Sequence, residues 1–163
     1  MVDDGAQPWH HWKMKLMSAL LIGVMVVTNA LAGDASDRFV SKLKLTPELT
    51  AVVAEGDFEA RSIGSFSVRL YSSQAAEPGD DTTFFVAGTI QDRDGYIERV
   101  TLTDLNGRPA IVVIVRCVGT GQYLSARAFV FDDRSVKLSA SVADLASNAD
   151  AVSELKKAAA KSK

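Results

Sequence analysis

The feature that most constrains the fold is the apolar run Ala110–Val118 (AIVVIVRCV), the most continuous one after residue 32. β-Branched residues dominate the run, and turn-forming residues bound it at Asp104–Gly107 and Gly119–Gly121. This composition is typical of a β-strand, and the near absence of polar residues indicates that both of its faces are covered. We therefore expect a central strand here, with other elements packed on each side.

Shorter segments of β-type composition surround this run. They are Thr50–Ala54, Ser62–Tyr71, Phe84–Ile90, Ile97–Leu102, Tyr123–Phe131 and the alternating positions Val136, Leu138, Ala140 and Val142. The segment Phe39–Leu49 is ambiguous, because Pro47 stops any helix there. Only the tail Ala151–Lys163 has helical composition, with Ser147 or Asn148 as its N-cap. This pattern predicts a mainly β fold, an antiparallel sandwich or barrel with a short C-terminal helix.

Three local features are expected between these elements. In the second segment, the step Gly64–Ser65 shifts the alternation of apolar residues, which predicts a β-bulge. The composition of Gln74–Asp81 predicts a loop, and Asp92–Gly95 predicts a β-turn between two strands. The latter segment also resembles part of a calcium-binding loop. A turn is favoured, because Ile90 and Thr101 stand where the first and twelfth ligand positions would fall.

The N-terminal segment has the composition of a secretory signal peptide. Lys13 and Lys15 precede the uncharged apolar run Leu16–Val27, and an Ala-Leu-Ala cleavage motif follows at 30–32. The run is shorter than the roughly 20 residues that a membrane-spanning helix needs. A signal peptide is therefore favoured over a buried core helix.

We expect residues 1–32 to be removed and residues 33–163 to form one domain in the periplasm. Asp3, Asp4 and two tryptophans are unusual in a signal peptide, so we also expect translation to start at Met14. The net charge of −2 is unchanged by this cleavage, because two lysines and two aspartates are removed together. A slightly acidic domain argues against nucleic acid as a partner.

Cys117 is the only cysteine, which excludes an intramolecular disulfide. Because it lies far from the predicted cleavage site, we also expect no lipid anchor in a membrane. Its position in an apolar run favours a small buried hydrophobe over a reactive thiol. A secreted domain without disulfides fits the bacterial periplasm.

The sequence lacks the residues of common catalytic sites. Both histidines, His10 and His11, lie in the predicted signal peptide, which leaves none for Ser-His-Asp or Cys-His catalysis. No Cys/His spacing indicates a zinc site. We therefore expect no enzyme, no metal and no cofactor.

The carboxylates Glu55, Asp57 and Glu59 remain as candidates, because paired carboxylates can cleave glycosidic bonds. Three acids in five residues are also common on solvated loops, and Arg61 nearby can balance their charge. Nothing in the sequence places a substrate cleft around them. A solvated loop is favoured over a hydrolase.

The segment Gly119–Tyr123 (GTGQY) is the last motif of interest. A phosphate-binding loop is excluded, because no Lys-Ser/Thr pair and no predicted helix follow it. Glycines with this spacing serve tight turns in many proteins. Composition and spacing alone therefore predict a hairpin turn.

Four segments together carry a likeness to a known family. They are Glu55–Tyr71 (EGDFEARSIGSFSVRLY), Ala87–Ile90 (AGTI), Arg93–Gly95 (RDG) and Gly119–Tyr123, within about residues 50–132. In these segments the chain resembles the periplasmic inhibitors of invertebrate-type (I-type) lysozyme. The resemblance implies a β-sandwich whose Ser-Gly-x-Tyr loop enters the active-site cleft of the lysozyme.

The residues that match this loop are Thr120, Gly121, Gln122 and Tyr123. Thr120 replaces the serine of the family, which keeps the hydroxyl group and adds a methyl group. A lysozyme cleft holds two carboxyl groups, and the Thr120 and Tyr123 hydroxyls can donate one hydrogen bond each to them. Gly119 and Gly121 allow a sharp, thin turn, and the Tyr123 ring adds rigid apolar area.

The resemblance also implies how the loop is supported and what it binds. Arg69, Tyr71 and the strand Ile111–Val115 are expected to hold the loop on a rigid sheet. The expected partner is I-type lysozyme, and pairing into a homodimer through an edge strand stays open. The alternative is a non-catalytic periplasmic binding module for cell-wall glycan or another protein.

Overall fold

The computed structural model describes residues 38–73 and 83–161 of the chain. In chain order, the elements are β1 (Val40–Lys44), β2 (Leu49–Glu55), β3 (Ile63–Ser73), β4 (Thr83–Asp94), β5 (Tyr96–Leu105), β6 (Arg108–Arg116), β7 (Leu124–Asp132), β8 (Ser135–Leu145) and α1 (Ala151–Lys161). Strands occur at every predicted β-type segment, and β1 forms where the sequence was ambiguous. The mainly β fold with one short C-terminal helix is confirmed.

The strands form two four-stranded antiparallel sheets, with the orders β1-β2-β3-β4 and β5-β6-β7-β8. Within each sheet, every strand pairs with its neighbours along the chain, so each sheet is a meander. Side chains of both sheets share one buried core, in which the Phe66 and Phe129 rings meet edge to face at 6.0 Å. Two antiparallel sheets packed on a common core form a β-sandwich, as the resemblance implied.

Strand β6 is buried on both faces. Its odd-numbered residues from Ile111 to Val115 point into the core between the two sheets. Its even-numbered residues from Ala110 to Ile114 point to the opposite face, where they share a second core with α1. Successive side chains point to opposite faces in every β-strand, but in β6 both faces are covered by other apolar residues. The predicted central strand is confirmed.

Helix α1 provides this second cover. Ala151, Leu155 and Ala159 are buried on one face of the helix, at a spacing of one turn. They pack on the outer face of the β5–β8 sheet, which gives that sheet apolar cover on both sides. The described part of the helix ends at Lys161, so the last two residues of the predicted Ala151–Lys163 lie outside the described residues.

The N-cap of α1 is Asp150. Its Oδ1 accepts hydrogen bonds from the backbone N–H groups of the second and third helical residues, both at 3.2 Å. The prediction of Ser147 or Asn148 is wrong, because the helix begins only at Ala151 and a cap must directly precede the first turn.

A single residue, Gly95, joins the two sheets. The β-turn predicted at Asp92–Gly95 is wrong, because β4 and β5 belong to different sheets and β4 continues through Asp94. Gly95 has a φ of 113°, and a Cβ there would overlap the carbonyl group of Arg116 and lie 2.9 Å from the Cα of Cys117. Only glycine fits this corner without strain.

The predicted bulge at Gly64–Ser65 is also wrong. Pairing with β4 is continuous there, and the register shifts between Leu70 and Tyr71 instead. Ile63 is 67% exposed, so it does not belong to the inward-facing set and no change of alternation is needed to bury it. Ile63 is thus an apolar residue at the end of a strand and not part of the core.

Two predictions lie outside the described residues: the signal peptide at 1–32 and the loop Gln74–Asp81. Within the described ranges, no helix is long and apolar enough to cross a membrane.

Candidate functional site

The loop between β6 and β7 comprises residues 117–123. At its base, the backbone N–H of Cys117 donates a hydrogen bond to the carbonyl of Tyr123 at 2.9 Å. At its tip, the N–H of Gln122 donates to the carbonyl of Gly119 at 3.0 Å. Since β6 and β7 are paired neighbours, this segment is a hairpin connection, as its composition predicted.

The four residues that the sequence singled out lie together in this loop. Thr120, Gly121, Gln122 and Tyr123 are all exposed. The Tyr123 side chain is 54% exposed despite its large apolar ring. The loop therefore presents an aromatic ring and two hydroxyl groups to solvent.

Gly121 determines where the Tyr123 ring can lie. A Cβ at Gly121 would lie 2.7 Å from Cζ of the ring, so the ring occupies the space that any side chain would need. The next residue, Gln122, has a φ of 44°, a conformation that residues other than glycine rarely adopt. The loop is thus a specific, tightly turned conformation.

Arg116 connects this loop to the rest of the domain. Its Nη1 donates to the carbonyl of Gln122 at 3.1 Å, and its Nη2 donates to the carbonyl of Ser147 at 3.3 Å. Its Nε donates to a Glu98 carboxylate oxygen at 2.5 Å, and this hydrogen bond raises the pKa of Arg116. One guanidinium therefore ties the loop to β5 and to the segment before α1.

Sequence reasoning missed Arg116 and named Arg69 and Tyr71 as supports instead. Those two residues lie on β3, in the other sheet, whereas Arg116 ends the strand that leads into the loop. The other expected support, Ile111–Val115, belongs to β6, which leads directly to the loop base. The charged residue at the end of the apolar run was the available signal for Arg116.

Cys117 is not the buried strand residue that the sequence predicted. It is partly exposed and follows the end of β6, and its Sγ accepts a hydrogen bond from the N–H of Gly119 at 3.3 Å. The strand ends at Arg116 because the pairing partners of that residue, Tyr96 and Leu124, are the first residues of β5 and β7. In the described part of the chain, no strand continues beside Cys117 to cover it.

Glu55, the first residue of the acidic cluster, does not lie on a solvated loop as expected. This side chain is buried, and its Oε1 lies 3.7 Å from Nε of Arg93. Its carboxylate accepts hydrogen bonds from the backbone N–H of Ile97 at 2.7 Å and of Phe39 at 3.3 Å. Arg93, which the sequence did not indicate, therefore balances its charge.

The other two acids are also engaged within the protein. Asp57 forms an ion pair with Arg38 at 2.5 Å. Glu59 accepts hydrogen bonds from the backbone N–H and the hydroxyl of Ser65, which hold the pKa of Glu59 below its usual value. The cluster braces the loop between β2 and β3, and no group of three His, Cys, Asp or Glu side chains in the described ranges could hold a metal ion.

These features define a class of protein. A β-sandwich that presents an exposed, internally hydrogen-bonded hairpin loop has the architecture of a binding protein, in which a rigid scaffold carries a loop. Residues 37–159 match the family model described as periplasmic lysozyme inhibitor of I-type lysozyme. The chain belongs to this family of periplasmic protein inhibitors.

Solved structures agree with this assignment. The chain is 38% identical to the periplasmic inhibitor of I-type lysozyme from Aeromonas hydrophila, with a TM-score of 0.63. The match covers 72% of this chain and 98% of that one. The same Aeromonas hydrophila protein, in complex with Meretrix lusoria lysozyme, matches with equal identity and TM-score and is covered over 95% of its length. No curated protein sequence shows significant similarity to the chain.

Proposed function

We propose that the chain inhibits I-type lysozyme by inserting the β6–β7 loop into the active-site cleft. Its family consists of periplasmic protein inhibitors, a role without catalysis. The complex of the Aeromonas hydrophila relative with a lysozyme supports direct protein–protein contact as the means of inhibition. The observation that carries the assignment to this loop is that Thr120, Gly121, Gln122 and Tyr123 form one exposed and internally fixed turn.

The chemistry of the cleft suits the hydroxyl groups of the loop. The two catalytic carboxyl groups of a lysozyme flank the scissile bond and accept hydrogen bonds when ionised. Thr120 and Tyr123 each offer one hydroxyl donor. Hydrogen bonds to charged groups contribute about 1.5–3 kcal/mol each, so two donors supply much of a specific interaction.

The fixed conformation of the loop adds to affinity. Arg116 and the two backbone hydrogen bonds hold the loop before the partner arrives, so little conformational entropy is lost on binding. The Tyr123 ring brings apolar area with only two rotatable side-chain bonds. A narrow turn that ends in an aromatic ring suits a cleft built for a polysaccharide.

The test is to titrate an I-type lysozyme with the purified protein and to measure its residual activity on cell walls. Inhibition predicts a stoichiometric loss of activity, with complete loss near one inhibitor per enzyme. The alternative, a binding module for cell-wall glycan, predicts that the protein sediments with isolated peptidoglycan and leaves the enzyme active when soluble substrate is used.

Tyr123→Ala is expected to weaken inhibition by about 2 kcal/mol or more, roughly a 30-fold higher inhibition constant. The side chain is 54% exposed, so the thermal unfolding midpoint should change little. Tyr123→Phe is the matched control, because it keeps the ring and removes only the hydroxyl. A folded Tyr123→Ala protein that inhibits like the original would contradict the loop mechanism.

Thr120 can be tested in the same assay. Thr120→Ala should weaken inhibition, because it removes the hydroxyl donor. Thr120→Ser should preserve inhibition, because serine is the residue of the family at this position and retains the donor.

A further inference from the structure

Phe58, in the loop between β2 and β3 (residues 56–62), occupies a position that the fold does not explain. The residue is 100% exposed, the highest value among the exposed large hydrophobic residues of the described ranges. Its φ is 61°, in the left-handed region that bulky residues adopt only at an energetic cost. A small polar residue such as asparagine would adopt this φ at lower energetic cost and would expose no apolar surface to water. An exposed aromatic side chain held in this way indicates a contact with a partner.

The loop that carries Phe58 is firmly held. The guanidinium of Arg93 donates hydrogen bonds to the carbonyls of Ala60 and Arg61 at 3.1 and 3.0 Å, and to that of Ser65 at 3.1 Å. Glu59, next to Phe58, is bound to the backbone and hydroxyl of Ser65. The backbone around Phe58 is therefore ordered before any partner binds, which lowers the entropic cost of binding.

The 56–62 loop lies next to the base of the β6–β7 loop. The N–H of Gly95 donates to the carbonyl of Ser62 at 2.7 Å, and Gly95 itself lies against the carbonyl of Arg116. The guanidinium of Arg61 stacks 4.6 Å above the ring of Tyr96, which pairs with Arg116 across the sheet. Because paired strands are about 5 Å apart, the bases of the two loops are within about 10 Å of each other.

Exposed apolar side chains are concentrated at this end of the sandwich. Among the nine exposed large hydrophobic residues of the described ranges, four lie in the two loops or at their bases: Phe58, Ile63, Val118 and Tyr123. Such a concentration is typical of an interaction surface rather than of scattered surface residues. Its continuity with the loop proposed above indicates that one partner covers both.

We propose that the 56–62 loop is a second lysozyme-binding loop, and that Phe58 anchors it on an apolar patch at the rim of the active-site cleft. This inference rests on the proposed function, because it takes the orientation of the inhibitor from the β6–β7 loop. The hydroxyl groups of that loop engage the acids in the cleft, whereas Phe58 contacts the surface outside it.

The test compares Phe58→Ala with Phe84→Ala in the inhibition assay. Phe84 is a matched control, because it is a 61% exposed phenylalanine on β4, near the end of the sheet that is remote from both loops. Phe58→Ala should raise the inhibition constant about tenfold or more, mainly through faster dissociation, and Phe84→Ala should leave it unchanged. The proposal is overturned if Phe58→Ala leaves the inhibition constant unchanged, or if Phe84→Ala raises it as much as Phe58→Ala does.

Phe58→Asn separates a binding role from a structural one. Asparagine tolerates a positive φ, so this variant should unfold at the same or a higher temperature while inhibiting less well. Parallel loss of stability and inhibition would overturn the proposal. So would a change of oligomeric state on size-exclusion chromatography, which would assign Phe58 to a contact between two copies of the chain.

The result for Tyr123→Ala distinguishes the two proposals. Normal inhibition by Phe58→Ala together with weak inhibition by Tyr123→Ala overturns the second loop alone. Normal inhibition by both folded variants overturns the cleft-inserting loop, and the second loop with it.

Discussion

The conformation of Tyr123 depends on Gly121, because the Tyr123 ring lies where a side chain at position 121 would be. This packing restricts the orientation of Tyr123 without burying it. A side chain that is exposed yet restricted in orientation loses less entropy when it binds. The orientation of the Tyr123 ring therefore depends on the absence of a side chain at Gly121.

Gly121→Ala is expected to weaken inhibition about tenfold, because the added methyl group displaces the Tyr123 ring. The measurement is the inhibition constant, alongside the thermal unfolding midpoint, which should change little in this exposed loop. Gly119→Ala is the matched control: a Cβ at Gly119 meets only Sγ of Cys117, at 3.3 Å. Equal effects of the two substitutions would contradict the role given to the ring.

The sequence predicted that Thr120 to Tyr123 lie together in one loop, but not the polar contacts that hold this loop in place. Thr120 to Tyr123 form a local motif, which is visible in one stretch of chain. Arg116 acts through Glu98 and Ser147, which are 18 and 31 positions away, and only the sheet register brings them together. Glu55 was misjudged for the same reason, since Arg93 and Ile97 reach it from distant segments.

Strand β6 shows why most elements could be predicted. Burial on both faces leaves no polar alternation, and β-branched residues then identify the strand by composition alone. The residues at which elements begin and end were harder to predict from the sequence. The end of β6 depends on where β5 and β7 begin, which the local sequence does not encode.

Leu155→Ala tests the contribution of α1 to the second core. The side chain is fully buried against the β5–β8 sheet, so its truncation should lower the free energy of unfolding by about 2–5 kcal/mol. Urea unfolding followed by circular dichroism measures this loss. Lys156→Ala, one position further along but exposed, should change it by less than about 0.5 kcal/mol. A small effect of Leu155→Ala would show that the sandwich does not need its helical cover.

The response of the whole domain to acid follows from its carboxylates. Hydrogen bonds from Ser65 lower the pKa of Glu59, and hydrogen bonds and charge from Lys137 and Arg108 lower that of Asp132. A carboxylate with a lowered pKa in the folded state contributes stability above its unfolded-state pKa. This contribution is lost as the pH falls through the folded-state value.

The unfolding midpoint should therefore decrease as the pH falls below about 4.5, the usual pKa of glutamate. Glu59→Gln should show a lower midpoint at pH 7 and a shallower decrease in acid, because glutamine has no proton to gain. Thermal unfolding of both proteins between pH 3 and pH 7 measures the two slopes. Identical slopes would exclude Glu59 as a source of the acid sensitivity.

The pairing of each strand with its neighbours along the chain has a kinetic consequence. Both sheets are meanders joined at Gly95, so each strand pairs with a strand that is adjacent to it along the chain. Loop-closure entropy is then small at each step, and such topologies fold faster than sandwiches with long crossovers. The domain would thus spend little time during folding with unpaired strand edges, which are the part of a β-sheet protein most prone to aggregation.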